Sequence, residues 1–96
     1  MKAVYDSKAN ALSIDLVSRR HWEGSEEVTS TVNVSFADGE PANVELLYPD
    51  LGIDEPLRAA ADRFDLDAEA LIATARAAIA APDREVTVEV GVRAAA

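Results

Sequence analysis

His21 is the chain's one histidine, and it lies in Arg19-Arg20-His21-Trp22, the only basic and aromatic cluster in the sequence. Two guanidinium groups beside an indole could hold a phosphate or stack a base. Four consecutive residues make no groove, however, and a solvated loop whose tryptophan tucks against a sheet edge is the favoured reading. A lone histidine supplies neither a histidine-paired metal site nor a catalytic triad without distant partners. Asp6 is a second candidate. A small ligand-binding protein or enzyme with its site near His21 or Asp6 would need further polar groups converging on one of them.

Asp65-Leu66-Asp67-Ala68-Glu69 resembles the start of a calcium loop, but Ala70 stands where the loop needs glycine and Arg76 where it needs glutamate. Capping, with acids at a helix N-terminus, explains the run better. Two helices with a short linker also invite a helix-turn-helix reading. The end that would face DNA carries Asp65, Asp67 and Glu69, so electrostatics argues against it. The serines lie outside any nucleophile elbow, no glycine-rich phosphate loop is present, and no spacing selects one pair among the 18 acids. The expectation is a non-enzyme with no cofactor and no metal.

The net charge of −9 over 96 residues repels phosphates and anionic surfaces. Both halves share it, with nine acids to four bases in residues 1–53 and nine to five in residues 54–96. Nucleic acid is therefore a poor partner. With no cysteine, disulfides and thiolate chemistry are excluded, which fits a reducing cytoplasm. No apolar run is long enough to span a membrane and no secretory signal is visible, so the expected location is cytoplasmic. Arginine, alanine and valine usage suits a bacterial source.

These side chains must be positioned by elements that the hydrophobic pattern reveals. The first half alternates with period two, predicting a four-stranded antiparallel meander over about 2–5, 11–17, 27–37 and 42–48. Leu12, Ile14 and Leu16 form one apolar side, then Val28, Val32, Val34 and Phe36, then Val44, Leu46 and Tyr48. Asp6 to Asn10 and Asp38-Gly39 have turn chemistry. The second half changes period. Leu57, Ala60, Ala61 and Phe64 make one helical stripe over about 55–64, and Leu71, Ala75, Ala78 and Ile79 another over about 67–81. Asp54 and Asp67 are placed to cap them. Val86, Val88, Val90 and Val92 predict a fifth strand over about 85–92. The fold expected is α+β: a sheet whose one apolar face is covered by a helical hairpin, in a single domain of residues 1–93 with 94–96 frayed.

Tyr5-Asp6-x-x-Ala9-x-Ala11-Leu12-x-Ile14-x-Leu16 resembles the opening of a family of small bacterial proteins, the domain of unknown function family 2283, which reads Y-D-x-x-A-D-A-L-Y-I-x-L. Val32 to Gly39 is similar to its V-x-V-D-x-D-x-D-G segment, and Val44-Glu45-Leu46-Leu47 to its closing strand. The resemblance covers roughly residues 1–50 and implies the meander. It implies no activity, since the family has none established. Asn10 departs from the family's Asp, Ser13 from its frequent Tyr, and the Arg19 to Ser25 loop is longer.

The leading functional expectation is a non-catalytic interaction module that self-associates or takes a protein partner through its strand edges. The contact candidates are Arg19, Arg20, His21 and Trp22, with Val88 and Val90 on the terminal strand. Left unpaired, that strand would be an aggregation hazard. Pairing within its own sheet is favoured slightly over pairing across a homodimer. The alternative is an antitoxin-like regulator that masks a basic partner protein by charge.

Overall fold

The computed structural model describes residues 1–18 and 22–89. Six antiparallel strands form one sheet: β1 (Lys2–Asp6), β2 (Ala11–Asp15), β3 (Gly24–Glu27), β4 (Val32–Ala37), β5 (Glu40–Leu47) and β6 (Val86–Thr87). Between β5 and β6 come a 3-10 turn (Pro49–Leu51) and the helices α1 (Asp54–Phe64) and α2 (Ala68–Ala80). The α+β class and the helix-covered antiparallel sheet agree with expectation.

Strand order is β3-β4-β5-β2-β1-β6. Two local rules build most of it. Asp6 Oδ1 accepts from the backbone N–H of Lys8 (3.0 Å) and Ala9 (3.1 Å), turning the chain between β1 and β2. Asp38 and Gly39, both at positive φ (53° and 77°), make the two-residue turn between β4 and β5, which matches the twist of paired strands.

The connectivity departs from a plain meander in two places. The strand expected over 27–37 starts only at Val32, as β4; residues 28–31 fold back, and Gly24–Glu27 before them form β3, a strand not foreseen. Val28 N–H donates to Val32 O and Thr29 Oγ1 accepts from Thr31 N–H, so local bonds close the turn despite β-branched residues. In addition, β5 rather than the third strand lies beside β2. The chain leaves β2 for the far edge of the sheet and returns inward through β4 and β5. A register shift at Ser35/Phe36 sets Pro41 opposite Phe36, where a residue without an N–H is tolerated.

Alternation then does what period two requires. Leu12, Ile14, Val32, Val34, Val44 and Leu46 are buried on one side beneath Leu57, Ala60, Ala61, Leu71, Ala75 and Ala78 of the helices. On α2 the inward stripe is centred on Leu71, Ala75 and Ala78 and takes in Ile72 and Thr74, leaving Ile79 only half-buried. Thr74 satisfies its buried hydroxyl on Ala70 O at 2.7 Å. Phe64 meets Phe36 edge to face, with centroids 5.2 Å apart, fastening α1 to β4. Asp67 caps α2 as expected, accepting from Ala70 N–H at 3.1 Å. Asp54 does not cap α1. Ile53 is the cap residue, and Asp54 instead takes Arg76 at 3.1 Å.

The terminal strand pairs within the chain. Val86 and Thr87 face Ala3 and Lys2, and Val88 exchanges both backbone bonds with Met1, at 2.8 and 2.9 Å. The strand predicted over 85–92 is paired here as far as Val88. Arg19, Arg20, His21 and Val90, as well as residues 91–96, lie outside the described residues.

Candidate functional site

With both helices on one side, the other side of the sheet is open. Its outward residues line up across four strands. One row runs Ser25, Ser35, Asn43, Asp15, and the next runs Glu27, Asn33, Glu45, Ser13. All of these except Glu27, together with Trp22, line a shallow depression of about 410 Å³.

Asn43 is the centre of this face. It is only 7% exposed, although it lies on the side the helices do not cover. Its Nδ2 donates to Ser13 Oγ at 2.9 Å and to Asp15 Oδ1 at 2.8 Å, so both amide hydrogens go to β2. A buried amide satisfied this way holds two neighbours in place. Asp15 and Glu45 stand diagonally across adjacent strands, a relationship that sets backbones about 7–8 Å apart. A guanidinium or ammonium group can bridge that spacing. The Glu45 carboxylate makes no hydrogen bond or ion pair among the described residues. Trp22, 40% exposed, offers its ring at the rim.

The chemistry available is recognition. Carboxylates and hydroxyls accept hydrogen bonds, an aromatic face attracts cations, and the described lining includes no lysine or arginine. Lys2 stands opposite Asp15 in register and reaches Glu85 at 4.0 Å. Among the described residues no three of His, Cys, Asp and Glu converge as a metal set, and no helix is long and apolar enough to cross a membrane.

Of the residues singled out from sequence, Trp22 borders this face. Asp6 lies at the opposite end of the sheet, where it serves the β1–β2 turn, so the two do not meet. Val88 is half-buried and bonded to Met1. Asp65 closes α1 in a left-handed conformation and Asp67 opens α2, which accounts for the calcium-like run. Arg76, which stands where a calcium loop needs glutamate, is tied to Asp54. Ser13, Asp15, Asn43 and Glu45 were not foreseen as a site. Their signal was present as the polar half of each alternation, without anything to show which strands would adjoin.

Comparison with protein-family models, with curated proteins and with solved structures finds no match. The resemblance of the first half to the family of unknown function rests on the residues quoted for it.

Proposed function

We infer that the chain is a non-catalytic binding module whose open sheet face takes a basic segment of a partner protein. One observation carries this reading: an acceptor-rich depression with Asp15 and Glu45 diagonal to each other on adjacent strands, a tryptophan in its lining and no cation in its described lining. The net charge of −9 steers a basic partner toward it. A regulator that masks a basic protein, antitoxin-like in its charge logic, is the specific form this takes.

Self-association through strand edges is the weaker reading. The outer edges carry glutamates, Glu26 and Glu27 on β3 and Glu85 and Glu89 flanking β6. Acidic residues on edge strands oppose pairing with an identical edge.

Trp22 is the only tryptophan, so its fluorescence reads this face directly. Titration with a hexa-arginine peptide at low salt should change its emission saturably, and Asp15→Asn/Glu45→Gln should weaken the response. Removing two acids from α1 instead, Glu55→Gln/Asp62→Asn, should leave it nearly intact. A flat emission, or equal losses in the two variants, would reject the reading.

A further inference from the structure

Tyr48 should continue the alternation of Val44 and Leu46 and point into the core. It does not. The backbone steps into the left-handed region at Tyr48 (φ 54°, ψ 56°), and the side chain turns out to 50% exposure. Bulky residues rarely adopt this conformation, whereas glycine or asparagine adopts it readily. Three residues on, Leu51 is 77% exposed, the most exposed large apolar side chain described.

The turn that carries them is fixed from several sides. Tyr48 N–H donates to Asn10 O at 2.9 Å, and Asn10 Nδ2 donates to Asp50 Oδ1 at 2.6 Å. Leu51 N–H closes on Tyr48 O at 2.9 Å, Gly52 N–H on Pro49 O at 3.1 Å, and Pro49 is buried. Two apolar side chains are thus presented on a firmly bonded support, at the expense of local strain, with Leu51 largely and Tyr48 half uncovered by the chain itself. Strained positions of this kind mark functional surfaces, and a preordered knob loses little entropy on docking.

We propose that Tyr48 and Leu51 form a docking knob for an apolar socket edged with lysine or arginine on a different protein. Charge complementarity identifies that partner. Residues 41–57 contain Glu45, Asp50, Asp54 and Glu55 and no lysine or arginine. A second copy is a poor socket. Its helix arginines are already engaged, Arg58 with Glu69, Arg63 with Glu26 and Arg76 with Asp54. Its partly apolar cleft beside Leu16 and Val17 carries one cation, Lys2, which already stands between Glu85 at 4.0 Å and Asp15 in register, and those two acids repel Asp50. The knob is separate from the open face and does not depend on it.

The test is amide NMR of the full chain titrated with a synthetic amphipathic helix, leucine on one face and lysine along its borders. It is run on the wild type and on Asp15→Asn/Glu45→Gln, so that the open face can be discounted. Saturable shifts at Leu51, Gly52 and Ile53 are expected in both, with binding about tenfold weaker in Leu51→Ser. Tyr48→Asn, which suits the left-handed backbone, should also weaken binding while its melting temperature stays level or rises. Shifts absent from the turn, or unaltered by Leu51→Ser, would overturn the proposal. So would wild-type self-association by light scattering that Leu51→Ser abolishes.

Discussion

Asn10 reaches across 40 positions of sequence to Asp50, its Nδ2 donating to Oδ1 at 2.6 Å. The same side chain accepts from the Tyr5 hydroxyl at 2.9 Å through Oδ1, and its backbone carbonyl receives Tyr48 N–H. One residue in a left-handed turn position (φ 51°) therefore joins the first hairpin to the 3-10 turn. An Asp at this position would set two carboxylates against each other. Asn10→Asp is expected to cost about 1–2 kcal/mol at neutral pH, by loss of a charge-assisted bond and addition of repulsion. Denaturant melts should show partial recovery in Asn10→Asp/Asp50→Asn, where donor and acceptor exchange places.

Asn43 makes the corresponding prediction for the open face. Asn43→Ala removes a nearly buried amide that serves Ser13 and Asp15, and about 2 kcal/mol of stability should go with it. Arginine-peptide affinity should fall as well, because Asp15 loses the group that orients it. Chemical denaturation and Trp22 fluorescence measure the two effects separately.

Tyr48→Gly and Tyr48→Asn should relieve backbone strain. Against a modest loss of side-chain burial, the net expectation for Tyr48→Asn is a gain of about 0.5–1 kcal/mol in denaturant melts. A loss greater than about 1 kcal/mol would mean that Tyr48 is retained for packing.

The link between the loop before β6 and the first hairpin should be acid-sensitive. Asp83 accepts from Ser7 Oγ at 2.6 Å and Ser7 N–H at 2.9 Å. These bonds, the hydroxyl first, hold its carboxyl below the ordinary value. A carboxylate with a lowered folded pKa adds stability that is whole above the unfolded value of about 3.9 and disappears as pH falls through the lower folded value. Hydrogen exchange at the Ser7 amide should therefore accelerate only in that acid range. In Asp83→Asn the step should be missing.

Much of this architecture could be read from residue order. Leu12 with Ile14, Val32 with Val34 and Val44 with Leu46 announce inward faces, because burial on one side of a strand imposes period two. Asp67 announces a helix start and Asp38-Gly39 a tight turn for equally local reasons. The strand β3 and the turn that follows it were hidden. Thr29, Ser30 and Thr31 have strand-like composition, and only hydrogen bonds across the turn separate the two strands. Strand order was hidden because pairing over long sequence distances leaves no local mark. The open-face site was hidden for the same reason, since Asn43 meets Ser13 and Asp15 only when β5 inserts beside β2. Tyr48 was misplaced because alternation alone cannot foresee a left-handed step.

Charge reversal on the open face tests the central claim most directly. Wild-type protein should bind hexa-arginine with a saturable change in Trp22 emission and ignore hexa-glutamate. Asp15→Lys/Glu45→Lys should lose the first response and gain the second, while the same reversal at Glu55 and Asp62 should do neither. Each lost carboxylate contact is expected to weaken binding roughly fivefold, the equivalent of about 1 kcal/mol. Undiminished hexa-arginine binding by the Asp15→Lys/Glu45→Lys variant would contradict the account.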